Sequence, residues 1–376
     1  MEERKSSDYS FSRKLISWYE SNKRDLPWRE TKDPYKIWLS EIILQQTRVV
    51  QGMEYYLRMT ERFPDVQTLA EAEEDEVLKY WQGLGYYSRA RNLHKAAKTV
   101  LADLQGIMPT DYDTLLTLKG IGEYTAAAIS SFTTNAPHPV VDGNVYRFLS
   151  RYLAISEPVN TTKSKKLFTE TASELMEKEH AGLFNQAIME FGALQCTPLP
   201  DCPGCPFSDS CLAQMEGNPT AYPVKLNKTK VQTRYFHYFH ITMEGYTFLN
   251  KRTLKDIWLN LYEFPMIETE EEASFEQLQT TEAFKTLFQD TETSPFQLKI
   301  SNKKHILSHR VLYASFYEVK IKSLSEKLSH YKMIKEEEID RYAVHRLMAE
   351  FIERRYQNEV YPDKIQATLF QSISFT

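Results

Sequence analysis

Leu118–Ile129 reads LKGIGEYTAAAI. Segments on both sides carry apolar residues at helical spacing, so the stretch is a short connection between two helices. Gly120 and Gly122 permit backbone conformations that a side chain would forbid. The next helix starts at once, which turns its free amides toward the loop and makes an anion site apt for a backbone phosphate. Ala126, Ala127 and Ala128 let the two helices pack closely. A plain tight helical turn is the alternative. Two glycines entering an alanine-rich helix favour a hairpin that grips an anion.

Outward from this hairpin, residues 1–212 read as mostly helical, with apolar periodicity in 35–50, 66–81, 90–104, 111–118, 124–132, 143–154, 165–178 and 182–194. Short connections make this an all-α domain. Residues 213–232, AQMEGNPTAYPVKLNKTKVQ, lack periodicity and read as a linker. Beyond it YFHYFHIT, TFLNKR and VLYASFYEVKI look like strands and AVHRLMAEFIERR like a helix, an α+β domain over 233–360. Residues 361–376 read as a tail.

The 376 residues suggest two to three domains, carry a net charge of −5 and are 42% hydrophobic, enough for real cores. No apolar run approaches the ~18 residues of a membrane span. The start, MEERKSSDYS, has no apolar signal region, so a cytoplasmic location is expected. The overall charge argues weakly against a polyanionic partner, but its distribution matters more. Glu61–Glu76 is acidic, whereas Val77–Ala102 holds Lys79, Arg89, Arg91, Lys95 and Lys98 with no acid. That window suits nucleic acid or an ordinary solvated helix face.

All four cysteines fall in CTPLPDCPGCPFSDSC, at Cys196, Cys202, Cys205 and Cys211. Two disulfides in so short a cytosolic loop are improbable. A short C-x2-C pair inside two flanking cysteines suits a cubane iron–sulfur cluster better than zinc, which usually takes two separated pairs. Four unligated cysteines are the remaining reading.

Two carboxylates stand out. In WLSEIILQQT, Glu41 sits inside an otherwise apolar helix. In PVVDGNVYRFLSRYL, Asp142 follows an apolar pair and precedes a helical run, where an aspartate is most simply an N-cap.

Together LKGIG, VDGNV and the cysteine loop resemble the helix–hairpin–helix superfamily of DNA glycosylases with an iron–sulfur cluster. PWR, SEIILQQT and GLGYYSRARNL narrow the resemblance to its adenine DNA glycosylases, the MutY family, over essentially the whole chain. The resemblance implies a helical catalytic domain, a Nudix-like C-terminal domain, a 4Fe-4S cluster on the four cysteines, and duplex DNA with adenine opposite 8-oxoguanine or guanine as substrate. It implies a monomer, associated with the nucleoid. Related lyases carry a lysine where this chain has Tyr124, and tyrosine forms no Schiff base. The chain is thus expected to be monofunctional.

The resemblance gives roles to residues. Glu41, desolvated among Ile37, Trp38 and Leu44, would be the general acid. Asp142 would stay ionised and stabilise an oxocarbenium-like sugar. Tyr124 and Asn144 would support it. Arg29 and Gln186 would line the adenine pocket. Gln46, Thr47, Leu84 and Tyr86 would fill or prop the gap left by the flipped base. Gly120 and Gly122 would grip the DNA backbone. In KHILSHR, Ser308 and His309 would read the lesion, with Leu307 where the family has an aromatic residue. The tail's QATLF (Gln366, Leu369, Phe370) resembles a sliding-clamp docking peptide.

Three other readings compete. An endonuclease III-like or thymine-specific glycosylase is opposed by QQT, by the Nudix-like domain and by Tyr124. A DNA-binding protein with a degenerate site is opposed by Glu41 and Asp142. A Nudix hydrolase is opposed by YEFPMIETEEEASFEQL, which has acids but not the R-E-x-x-E-E order that binds magnesium.

Overall fold

The computed structural model describes residues 2–226 and 231–358, with side chains described over 10–226 and 231–355. Gln366, Leu369 and Phe370 lie outside the described residues. The chain forms two compact units, one of residues 1–72 and 89–228, the other of residues 73–88 and 229–376.

The first unit is helical. Its helices are α1 (Glu2–Asn22), α2 (Pro34–Leu44), α3 (Val49–Arg62) and α4 (Val66–Glu71). After α5 (Glu74–Tyr80), which belongs to the second unit, come α6 (Ser88–Asp103), α7 (Tyr112–Thr117), α8 (Glu123–Thr134) and α9 (Gly143–Tyr152). Then follow α10 (Thr162–Leu175), α11 (Ala181–Leu194) and the one-turn α12 (Leu212–Met215). The starts are written in the sequence. Asp33, Asp65 and Asp111 accept from the free amides of α2, α4 and α7, and Thr161 closes a capping box on α10. Phe11, Leu15 and Tyr19 put one face of α1 on a core shared with Phe148 and Leu149 of α9 and Phe184, Ile188 and Phe191 of α11. Each large side chain so buried contributes about 2 kcal/mol. A Cβ on Gly192 would lie 2.6 Å from the Asn144 carbonyl oxygen, so that glycine lets α9 and α11 meet.

The second unit is α+β. Its strands are β1 (Gln232–Met243), β2 (Tyr246–Lys251), β3 (Tyr262–Glu263), β4 (Met266–Thr269), β5 (Gln297–Leu307), β6 (Arg310–Lys320) and β7 (Lys332–Lys335). Helices α13 (Phe275–Thr280), α14 (Glu282–Phe288), α15 (Glu326–Ser329) and α16 (Arg346–Asn358) accompany them. The sheet order is β3-β2-β1-β6-β5, with β4 on β1 and β7 on β2. β1 and β6 run parallel, in register from Gln232↔Arg310 to Thr242↔Lys320, and β5–β6 is an antiparallel hairpin. Alternation along β1 feeds two cores. Phe236 and Tyr238 meet Leu347, Met348 and Phe351 of α16, while Phe239 and Ile241 meet Leu278, Phe284 and Phe288 of α13 and α14.

The iron–sulfur expectation is overturned. Among the described residues no group of three or more His, Cys, Asp or Glu side chains is placed to hold a metal ion. The four cysteines are free. They border a cavity of about 20 Å³, shared with Phe148, Arg151 and Phe207. Several thiols already have partners. Arg151 Nη1 donates to Cys196 Sγ, Cys211 Sγ donates to the Arg151 carbonyl, and the Phe207 amide donates to Cys205 Sγ, each at 3.4 Å. Burial pushes the Cys196 and Cys211 thiols up and Cys205 to about 11. The loop is instead tied by Arg151, whose guanidinium donates to the carbonyls of Thr197, Pro198 and Pro219.

Candidate active site

Glu41 lies on α2 between Ser40 and Ile42, and is 5% exposed. Pro34 and the Asp33 cap start this helix, and its apolar residues bury nearly all of its surface. Burial is the chief cause that lifts the Glu41 carboxyl to about 7. A hydrogen bond with the Tyr124 side chain works the other way, nearby Asp142 adds to the rise, and Arg29 opposes it.

Tyr124 sits in the first turn of α8. Burial and the two carboxyl groups keep its phenol protonated. Asp142 is the N-cap of α9: Oδ1 accepts from the Asn144 and Val145 amides, and Oδ2 from Asn144 Nδ2, all at 2.8 Å. Arg147 Nη2 in turn donates to Asn144 Oδ1 at 2.9 Å. The cap reading and the functional reading therefore fall on the same residue. Burial raises the Asp142 carboxyl from its ordinary value. The Val145 amide, the Asn144 side chain and amide, and the Arg147 charge all pull it back. The cluster thus holds one carboxyl without a backbone donor and one saturated with donors.

A cavity of about 350 Å³ lies alongside, lined by Tyr19, Arg24, Arg29, His180 and Gln186 among others. It brings Arg29 and Gln186 together, and neither Glu41 nor Asp142 lines it. Tyr19 OH donates to Gln186 Oε1 at 2.6 Å. Arg29 donates to Glu190 through Nη1 (2.9 Å) and Nη2 (2.7 Å). Glu190 and Arg24 were missed in the sequence, although Glu190 carries the same signal as Glu41, a carboxylate in an apolar helix.

Gln46, just past α2, is exposed with φ +55°, and Thr47 donates its amide to the Leu44 carbonyl. Arg89 donates to the carbonyls of Ile42, Ile43 and Gln45, which fixes the end of the helix that carries Glu41. In the hairpin, Gly120 has φ +84°, and a Cβ there would lie 2.7 Å from Asn92 Cβ. Gly122 differs from the expectation: it is the extended N-cap of α8, with open space where a Cβ would go. No side chain caps α8, so its first amides stay available.

In the second unit Leu84 is buried and Tyr86 is 47% exposed. Ser308 and His309 form the exposed two-residue tip of the β5–β6 hairpin. Leu307, half-buried, packs against the core beneath. The Tyr86 hydroxyl lies 2.6 Å from Ser308 Oγ, which brings two segments far apart in sequence to one place.

Residues 39–178 match the HhH-GPD superfamily of base excision DNA repair proteins, and residues 237–354 match the NUDIX domain. The chain is 37% identical to an adenine DNA glycosylase of Buchnera aphidicola (subsp. Acyrthosiphon pisum), over 70% of this chain and 76% of that one. It is 35% identical to that of another Buchnera aphidicola (subsp. Baizongia pistaciae), over 81% and 84%. Against the Homo sapiens adenine DNA glycosylase, identity is 43% over 54% of this chain and 39% of that one. Among solved structures, a thermostable thymine-DNA glycosylase superposes with TM-score 0.52 and 28% identity, covering 56% of this chain and 98% of that one. Helical fold, buried acid, hairpin and relatives agree: this chain belongs to the adenine DNA glycosylase family of the HhH-GPD superfamily, hydrolases that excise bases from duplex DNA in base excision repair.

Proposed function

We propose that this enzyme excises adenine mispaired with 8-oxoguanine or guanine, and leaves an abasic site without cutting the strand. The observation that carries the reading is Glu41, a buried carboxyl held at about 7 beside Tyr124 and Asp142. Adenine is a poor leaving group as an anion. A carboxylic acid protonated near neutrality delivers a proton to its ring N7 as the glycosidic bond breaks. Asp142 supplies the negative charge that stabilises the oxocarbenium-like sugar, and its three donors favour that ionised form. Tyr124 offers no amine, so no imine forms with the sugar and hydrolysis ends the reaction.

The flipped base would enter beside Arg29 and Gln186, which share one cavity. The uncapped α8 amides after Gly120 would take a backbone phosphate. Gln46, Thr47, Leu84 and Tyr86 would support the opened stack, and Ser308 and His309 would read the opposite 8-oxoguanine. Docking of the QATLF tail on a sliding clamp belongs to the same reading, and a chain ending at Asp363 that binds the clamp as well as the full chain would exclude it.

The test is single-turnover excision on labelled duplex with adenine opposite 8-oxoguanine, guanine or thymine, read with and without alkali. Fast alkali-dependent cleavage opposite 8-oxoguanine, slower opposite guanine and none opposite thymine is expected. Absence of excision opposite 8-oxoguanine overturns the proposal, and alkali-independent nicking overturns its monofunctional part.

A further inference from the structure

Glu190 lies one helical turn beyond Gln186 on α11, in the apolar run LFNQAIMEFGAL, and is 1% exposed. Its carboxylate accepts from the Arg24 backbone amide (3.0 Å), Arg24 Nε (2.9 Å), Arg24 Nη2 (2.6 Å), Arg29 Nη1 (2.9 Å) and Arg29 Nη2 (2.7 Å). Two guanidiniums on one buried carboxylate leave a net positive charge. Stability alone does not explain that, because apolar packing would serve as well or better. Burial by itself would raise the Glu190 carboxyl, but the bonds from Arg24 and Arg29 hold it at about 2, so it is charged at any working pH.

What the arrangement does is fix orientation. A two-pronged bond sets the plane of the Arg29 guanidinium. The same group lies over the Tyr19 ring, 5.5 Å from its centroid. Tyr19 OH donates to Gln186 Oε1, which commits that oxygen and leaves the Gln186 amide NH2 to donate. Arg29 and Gln186 therefore both present donors at the cavity.

We infer that Glu190 is a positioning residue for base selection. It locks Arg29 beside the Tyr19–Gln186 pair, so that the cavity offers donors to the acceptor nitrogens of a purine ring. The inference rests on the adenine-excision reading.

The experiment is single-turnover excision opposite 8-oxoguanine by the full chain, wild type against Glu190→Gln, over a range of enzyme concentration, with melting temperature measured in parallel. The amide keeps one acceptor oxygen, but it loses the charge and puts an NH2 donor where the second oxygen met Arg24 Nη2 and Arg29 Nη2, so neither two-pronged bond survives. The rate constant should fall about tenfold to a hundredfold, the scale of a charged hydrogen bond. The half-saturating concentration should change less than about threefold, because the groups that grip the duplex are untouched. A purely structural role would lower the melting temperature and the active fraction but not the rate constant per active molecule. A wild-type rate constant in Glu190→Gln overturns the inference. Where that variant gives no folded protein, Glu190→Asp carries the test. It keeps the charge and withdraws the carboxylate by one methylene, so a slowed rate is expected and a wild-type rate overturns the inference. Failure of the underlying reading shows separately, as a wild type that excises no adenine.

Discussion

A carboxyl held at about 7 gives the protein an acid at neutral pH and makes the fold less stable above it. On the proposed mechanism Glu41 must be protonated to act, so the excision rate should fall as pH rises through that value. At the acid end the rate should fall again as Asp142 protonates, at a pH above that of an ordinary aspartate because burial raises it. A pH profile of the single-turnover rate constant checks both limbs. For stability, the folded pKa of Glu41 is raised, so the neutral group costs nothing at low pH and the burden appears as pH climbs toward and past 7. Glu41→Gln should therefore abolish excision, preserve duplex binding, and stabilise the fold at pH 8 by up to about 3 kcal/mol and at pH 5 by under about 1 kcal/mol. Urea melts at the two pH values decide it, and equal gains at both would show that Glu41 is not the group being titrated. Glu41 stands out in sequence as a charge inside an apolar run, although taken alone it reads more simply as a surface glutamate, and only the resemblance made an acid legible there. The Arg24–Glu190–Arg29 grouping was not legible, because two of its members are more than 160 positions from the third and only folding brings them together.

At the scale of elements, the hairpin shows what a motif does and does not say. LKGIG announces a turn between helices, and the turn is there. The motif gives its two glycines equal weight, whereas the backbone needs only one. Gly120 combines φ +84° with a neighbour that a Cβ would strike, while Gly122 is extended and open. Gly120→Ala should cost about 1–3 kcal/mol and weaken duplex binding, and Gly122→Ala should stay within about 1 kcal/mol of wild type. Paired urea melts and duplex titrations measure both, and equal costs at the two positions would refute the distinction. Strands show the same limit. β1 and β6 declare themselves by aromatic and β-branched residues. β5, QLKISNKKHIL, lies at the end of the sheet order with mostly exposed polar side chains and gives no alternating apolar signal. Its sequence shows the Ser308–His309 turn only through resemblance.

At the scale of the whole molecule, the chain crosses between its two units three times, and only one crossing is written in composition. The Gly-, Pro- and Asn-containing stretch near residue 228 marks itself. The crossings near residues 72 and 88 do not, because Glu73–Ser88 reads as more helix and loop of the first unit. Several of its partners are distant in sequence. Asp75 accepts from Lys251 and, at 2.9 Å, from Tyr262 OH. Gln82 Oε1 accepts from the Val344 amide at 3.1 Å, Tyr87 OH donates to the Val344 carbonyl at 3.3 Å, and Tyr86 meets Ser308. A chain ending at Lys228 loses every one of these bonds at once. Residues 73–88 should then exchange their amide hydrogens at least about tenfold faster than in the full chain, since such bonds contribute about 1 kcal/mol each and losing them together lowers the local opening free energy by more than about 1.4 kcal/mol. α9 and α11, whose core lies wholly in the first unit, should keep their protection. Hydrogen exchange read by mass spectrometry on the two chains separates the cases. Unchanged protection of 73–88 in the short chain would mean that the segment is held by the helical unit alone. Matched loss across α9 and α11 would mean that the two units unfold as one.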